Sequence, residues 1–150
     1  MVDLKEKLYL LCNEYINNRV AAIKQNVTEA QEAAGDDTKS SAGDKFEVGR
    51  EMMQQEIELN YARLGEMYKL KQALENINPG QKGTSVQAGS LVFTGNGKYY
   101  IAIGAGKLLL DGTPYYSVSP DAPIVAQMLG KKKGDEFLLN GKKIKIEEVI

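Results

Sequence analysis

The sequence predicts an α+β fold in which a long antiparallel α-helical hairpin, or coiled coil, precedes a small antiparallel β-sheet domain with one helix. No proline occurs between Leu4 and Ile77, and apolar residues there recur at intervals of three and four, as on one face of a helix. From Asn78 onward the chain contains all four prolines, frequent glycines, and Asn-Gly or Asp-Gly turns between apolar runs. We therefore predict two domains, 1–77 and 78–150.

Two apolar stripes predict the arms of the hairpin. The first helix should run to about Ala34 and the second from about Asp44 to Asn76. Gly35 and the polar residues after it predict a tip loop at about 35–44, with Asp44 as the N-cap of the second helix. The stripes consist of Leu4, Leu8, Leu11, Tyr15, Ala22 and Ile23, and of Phe46, Met53, Ile57, Leu64, Met67, Leu70 and Leu74.

The second half predicts a sheet and one short helix. Asp121 can cap this helix, Pro123 suits its first turn, and Gly130 can end it. The apolar face of the helix would consist of Ile124, Met128 and Leu129. The predicted strands are 90–94, 98–103, 107–110, 115–118, 136–139 and 143–146.

The composition of the 150 residues limits the possible functions. With 43% hydrophobic and 26% charged residues, the chain is typical of a soluble globular protein, and its net charge of -1 gives no argument for wrapping duplex nucleic acid. The absence of histidine excludes Ser-His-Asp and Cys-His catalysis and histidine-containing zinc sites. The single Cys12 excludes an internal disulfide and is expected to be a packed thiol. A charged N-terminal segment and the lack of a long apolar run predict a cytoplasmic protein that does not enter a membrane.

Three carboxylates at the tip of the hairpin are the first candidate site. Asp36, Asp37 and Asp44 supply the oxygen ligands that Mg²⁺ prefers, but they are too few to hold the ion tightly without help. They could complete a metal site that another molecule mostly supplies. The alternative is that these residues only end one helix and cap the next.

Lysines and tyrosines in the second half have both functional and structural interpretations. Lys131, Lys132 and Lys133 could face a phosphate or an acidic partner, or form a solvated turn. Four tyrosines could line a pocket or stack on bases, but packing within the sheet is the commoner use of such residues. They are Tyr99, Tyr100, Tyr115 and Tyr116.

The order of a helical hairpin followed by a small sheet domain resembles that of the bacterial Gre transcript-cleavage factors, and so does the segment 122–135. This segment reads Ala-Pro-Ile-Val-Ala-Gln-Met-Leu-Gly-Lys-Lys-Lys-Gly-Asp and is similar to the family signature Ser-Pro-Ile-Gly-x-Ala-Leu-Leu-Gly-Lys-x-x-Gly-Asp. The positions at which it differs from this signature include Ala122, Val125 and Gln127. The resemblance covers nearly the whole chain and implies an FKBP-like fold for the second domain. The polymerase-docking residues that it implies are Pro123, Ile124, Gly130, Lys131, Lys132, Lys133 and Asp135.

The tip matches the family pattern in part. The family has Gly-Asp-Leu-x-Glu-Asn-Ala-Glu-Tyr at this place, and its Asp and first Glu are the carboxylates that act in cleavage. Asp37 matches the Asp, whereas Ser40 stands at the Glu. Asp36 and Asp44 are possible substitutes for the missing carboxylate, although neither matches the motif.

The resemblance implies an accessory factor rather than an enzyme. Such a factor inserts its hairpin into the secondary channel of RNA polymerase and shares a Mg²⁺ ion with the polymerase. It thereby stimulates cleavage of backtracked RNA, and the 3′ end of this RNA is only an indirect partner. The resemblance also implies a cytoplasmic monomer that has no cofactor of its own. It further implies a DNA-binding transcription protein. Three alternatives stay open: a channel-binding regulator that does not stimulate cleavage, a peptidyl-prolyl isomerase or chaperone, and a structural adaptor whose hairpin pairs with another coiled coil.

Overall fold

The computed structural model describes residues 2–40 and 44–150, with side chains described for 4–33 and 49–150. Two long helices come first, α1 (Val2–Ser40) and α2 (Asp44–Glu75). The strands and the short helix that follow are β1 (Leu91–Thr94), β2 (Gly97–Ile101), β3 (Gly106–Leu110), β4 (Thr113–Val118), α3 (Pro123–Met128), β5 (Glu136–Leu139) and β6 (Lys142–Val149). The predicted α+β class, two long helices and six strands are confirmed.

The chain divides into two compact units that do not follow the sequence order. One unit combines Met1–Tyr15 with Gln72–Ile150, and the other is Ile16–Lys71. The start of α1 therefore belongs to the same unit as the sheet. Because α1 contributes to both units, the predicted domains 1–77 and 78–150 stay a prediction.

The unit Ile16–Lys71 is an antiparallel pair of helices. Val27 and Ala30 of α1 form a buried cluster with Ile57 of α2, and Met53 packs against it. The predicted start of α2 is confirmed, but the predicted end of α1 near Ala34 is wrong, since the helix continues through Gly35 to Ser40. A glycine inside a helix costs only about 1 kcal/mol relative to alanine, which a long helix can absorb.

The sheet of the other unit has the strand order β3-β4-β2-β1-β6-β5. The predicted all-antiparallel arrangement is wrong at one pair, because β2 and β4 are parallel. After β2 the chain passes over one strand position to form β3, and β4 then returns into the gap between them. Sequence periodicity identifies strands but carries no information about this order.

Helices lie against both faces of this sheet. Tyr100 is in register with Leu91 on one side and Ser117 on the other, so these three residues share a face, and Cys12 of α1 contacts Ser117 there. The opposite face contributes to a core that includes Val92, Tyr99, Ile101, Val125, Met128, Phe137 and Ile146. Cys12 is fully buried, as expected of a packed thiol, and it belongs to the buried face of α1, since Leu8, Cys12 and Ile16 follow one another at intervals of four.

Candidate functional site

The tip carboxylates cannot be compared with their predicted arrangement. Asp36 and Asp37 belong to the last turns of α1 and Asp44 begins α2, but their side chains lie outside the described residues. The predicted magnesium-assisting role of these residues stays a prediction. Among the side chains described, 4–33 and 49–150, no group of three or more Asp, Glu, His and Cys residues is arranged to hold a metal ion.

The segment 122–135 begins with the short helix α3, which starts at Pro123 and ends at Met128. Pro123 occupies the first turn, where its fixed φ is favourable and its missing N–H is not needed. Asp121 does not cap the helix as predicted. It accepts a hydrogen bond from Ser119 Oγ instead, and this bond lowers the pKa of the Asp121 carboxyl. The helix is held in place by Val125 and Met128, which are fully buried.

The backbone after α3 forms hydrogen bonds with the loop before β1. Gly130 has a φ of 79°, a left-handed conformation that strongly favours glycine. Its N–H donates to the Val86 carbonyl at 2.9 Å, and the Val86 N–H donates to the Lys131 carbonyl at 2.8 Å. These two hydrogen bonds hold the backbone of residues 130–131 against the loop that contains Val86.

The lysine run forms a tight turn that Asp135 closes. The Lys132 N–H donates to Asp135 Oδ2 at 2.8 Å, and the Asp135 N–H donates to the Lys132 carbonyl at 3.0 Å. Gly134 has a φ of 92° and donates its N–H to the Ile146 carbonyl at 2.8 Å. Gly130, Gly134 and Asp135 therefore have a structural explanation that does not require a partner.

The residues that the segment leaves exposed are its candidate contact surface. Leu129 was predicted to be on the apolar face of α3, but its side chain is 57% exposed. The prediction failed because the helix ends at Met128, and Leu129 has the extended ψ of 130° that turns its side chain outward. Lys132, three residues further along the chain, is also exposed, while exposed Lys133 forms an ion pair with Glu148 at 3.4 Å. A segment that exposes an apolar side chain and cations suits a partner surface that is apolar and acidic.

The remaining predicted docking residues differ in their exposure. Ile124 is half-buried against the core, and Lys131 is half-buried with its carbonyl engaged. Pro123 is exposed at the start of α3. Within the predicted docking set, the exposed side chains are thus those of Pro123, Lys132, Lys133 and Asp135. Leu129 is the exposed residue that the sequence analysis missed.

The tyrosines mostly pack, as the structural interpretation predicted. Tyr99, Tyr100 and Tyr115 are buried, whereas Tyr116 is 39% exposed and lies with its ring centroid 6.0 Å from that of Tyr99. The Tyr99 hydroxyl accepts a hydrogen bond from Asn96 Nδ2 at 2.8 Å. The Tyr100 hydroxyl is buried without a partner, and burial, with Cys12 and Tyr9 nearby, strongly raises its pKa.

Comparison with known proteins gives a likeness to a solved structure. No protein-family profile matches the chain, and no curated protein matches it. A solved structure titled "Structure of the transcription factor Gfh1" is similar over 91% of both chains, with 20% sequence identity and a TM-score of 0.36. At this identity and TM-score, the likeness does not establish a shared function.

Within the described residues, no helix combines the length and the apolar character that crossing a bilayer requires.

Proposed function

We propose that this chain is a Gre-like transcription elongation factor that binds RNA polymerase through the secondary channel. In this role it stimulates Mg²⁺-dependent cleavage of backtracked RNA, and the hydrolysis is the polymerase's own activity. The observation that carries the proposal is the arrangement of residues 122–135, where the signature resembling the Gre family forms a rigid turn that exposes Leu129 and Lys132.

The helical hairpin supplies the second part of the proposal. Residues Ile16–Lys71 form an antiparallel helix pair, and Asp37 belongs to the end of α1 nearest the connection to α2. Hydrolysis of a phosphodiester by two metal ions needs anionic oxygen ligands and a positioned water. A carboxylate delivered by a long helix pair can strengthen a weak metal site in the polymerase, and the factor needs no nucleophile or cofactor of its own.

A second candidate function is favoured by Ser40. A serine hydroxyl carries no negative charge, so it cannot replace the glutamate that the Gre family has at this position. The chain would then occupy the channel and compete with other channel-binding factors without stimulating cleavage. Asp36 and Asp44 are the residues that could restore the missing charge under the first proposal.

The test is RNA cleavage in a backtracked polymerase complex that contains labelled RNA and Mg²⁺. Wild-type protein should shorten the RNA from its 3′ end, and Asp37→Ala should abolish the shortening while binding to polymerase is retained. Glu58→Ala, which removes an exposed carboxylate from α2 away from the tip, is the matched control and should behave as wild type.

The other outcomes separate the two candidates. Binding to polymerase without RNA shortening would support the regulator that does not stimulate cleavage. Absence of binding would reject both candidates, because each depends on contact with the polymerase.

A further inference from the structure

The outer side of β3 carries backbone groups that can pair with another strand. β3 is an edge strand of the sheet, with β4 as its neighbour. Leu109 is in register with Pro114, which has no N–H and cannot complete a hydrogen-bonded pair. The N–H and C=O of Leu109 therefore point away from β4, and those of Lys107 do so as well, because an antiparallel ladder alternates. An edge of this kind is a template for a further strand.

The side chains at this edge form an apolar surface. Leu109 is 62% exposed, and Pro114 beside it is exposed as well. Tyr116, which is in register with Lys107, is 39% exposed. Residues in register have their side chains on the same face, so Leu109, Pro114 and Tyr116 share one face of this hairpin. Burial of this apolar surface would be favourable.

A second copy of β3 can meet this edge about a two-fold axis through Leu109. Antiparallel strands pair when residues with outward backbone groups stand opposite each other, and here these residues are Lys107 and Leu109. A register that sets Lys107 against its own copy would bring two ammonium groups together, which is destabilising. A register that sets Leu109 against its own copy joins two exposed leucines, and this pair exchanges two backbone hydrogen bonds.

The charges on either side of Leu109 favour the second register. Lys107 precedes Leu109 by two residues and Asp111 follows it by two, and both side chains are exposed. Neither has an ion-pair partner among the described residues. When two antiparallel strands pair at Leu109, Lys107 of each copy comes opposite Asp111 of the other. The edge is therefore complementary to itself in charge as well as in apolar surface.

The opposite edge of the sheet does not have this arrangement. Leu138 of the edge strand β5 is 54% exposed, and this strand also leads into a turn with positive φ at Asn140. The residues two positions before and after Leu138 are Glu136 and Asn140. A two-fold pairing there would set a carboxylate against a neutral amide. Both edges thus expose a leucine, but of the two it is β3 that has opposite charges around it.

We propose that two copies of this chain associate through β3, antiparallel and in register about Leu109, so that the sheet continues from one copy into the other. Because β3 has only 5 residues, the contact is smaller than the about 1,200–2,000 Å² of stable complexes, and the dimer is weak and reversible. It differs from the monomer that the resemblance to the Gre factors implies. The inference does not rest on the proposed polymerase function, since it uses only residues of the sheet.

The test is sedimentation equilibrium of the full-length protein from about 10 μM to about 1 mM. The apparent mass of the wild type should rise above 16.5 kDa as the concentration increases. Leu109→Lys sets two ammonium groups at the axis and should weaken association about tenfold or more. Asp111→Asn retains a residue type that tolerates positive φ but removes the charge opposite Lys107, so it should weaken association about threefold. Leu138→Lys makes the same exchange at the opposite edge and should associate as wild type does.

Specific outcomes would overturn the inference. An apparent mass that stays at 16.5 kDa up to about 1 mM would reject it. Association that Leu138→Lys abolishes and Leu109→Lys leaves intact would assign the contact to the opposite edge, and equal association of all variants would assign it to another surface. Circular dichroism verifies that Leu109→Lys folds, as its exposure predicts, and Asp111→Asn tests the register without any change within β3.

Discussion

The Sγ atom of Cys12 lies 3.4 Å from the Oγ atom of Ser117, and this buried contact joins the start of α1 to the fourth strand of the sheet. Ser117 Oγ in turn donates to the Ile103 carbonyl. The fully buried Cys12 thiol thus belongs to a short chain of polar contacts that continues through Ser117 to the Ile103 carbonyl. Burial raises the pKa of the Cys12 thiol, and the hydrogen bond with Ser117 offsets this effect only in part.

We expect Cys12 to be unreactive in the folded protein. At pH 8 the buried thiol is protonated and covered, so iodoacetamide should alkylate it on the order of 100-fold more slowly than it alkylates the unfolded chain. Mass spectrometry before and after addition of guanidinium chloride measures the two rates. Equal rates would mean that the start of α1 does not remain on the sheet.

The same thiol predicts a dependence of stability on pH. Because the pKa of Cys12 is raised in the folded state, its contribution is complete below its ordinary pKa of 9.0 and is lost as pH rises toward the folded value. Above pH 9, the wild type should lose stability relative to Cys12→Ala by up to about 1.4 kcal/mol per pH unit. Urea unfolding of both proteins at pH 8 and pH 10 measures this difference, and parallel pH profiles would contradict it.

Two neighbouring tyrosines should respond in opposite ways to removal of their hydroxyl groups. Tyr100→Phe removes a buried hydroxyl without a partner, so stability should stay constant or rise by about 1 kcal/mol. Tyr99→Phe removes the acceptor of the Asn96 hydrogen bond and should lower stability by about 1 kcal/mol. Urea unfolding of both variants compares them, and a clear loss of stability in Tyr100→Phe would show that its hydroxyl has a partner.

Lys5 should stabilise the sheet unit through the two hydrogen bonds that its Nζ atom donates. It is buried, and its Nζ atom donates to the carbonyls of Gln81 at 2.7 Å and Ile150 at 3.1 Å. Lys5→Met keeps the apolar stem but leaves both carbonyls without this donor, so we expect a loss of about 1–3 kcal/mol. Lys7→Met, at an exposed position of the same helix, should change stability by less than about 0.5 kcal/mol.

The pH profile of Lys5→Met should also differ from that of the wild type. Burial lowers the pKa of Lys5, so the folded state releases this proton more easily than the unfolded state does. Between the lowered value and 10.5, the contribution of Lys5 to stability should therefore rise with pH. The difference in unfolding free energy between wild type and Lys5→Met at several pH values tests this sign, and a difference that shrinks with rising pH would contradict it.

The sequence predicts the elements of this fold better than their neighbours or their ends. The spacing of Ile57, Leu64 and Leu74 identifies α2, and the glycine turns identify the strands, because these signals are local. The parallel pairing of β2 with β4 depends on the path of the chain in space, which periodicity does not record. Likewise, the burial of Asn60, whose Oδ1 atom has no hydrogen-bond partner, becomes visible only when the partner helix is in place.

The surface of the 122–135 segment was mispredicted for a related reason. Leu129 was placed on one apolar face with Ile124 and Met128, and only the backbone conformation after Met128 shows that it turns outward. A residue next to a predicted C-terminal glycine is therefore a poor candidate for the core. The same observation makes Leu129 the best position at which to separate partner binding from folding.

Leu129→Ser and Asp135→Ala should separate these two roles. Leu129 is 57% exposed, so Leu129→Ser should change the free energy of unfolding by less than about 0.5 kcal/mol but should weaken binding to RNA polymerase about tenfold under the proposed function. Asp135→Ala removes the acceptor of the Lys132 N–H and should cost about 1 kcal/mol of stability. Urea unfolding and polymerase binding are measured for both variants. If Leu129→Ser binds polymerase as wild type does, the exposed leucine is not part of the docking surface, and the contact must lie elsewhere on the chain.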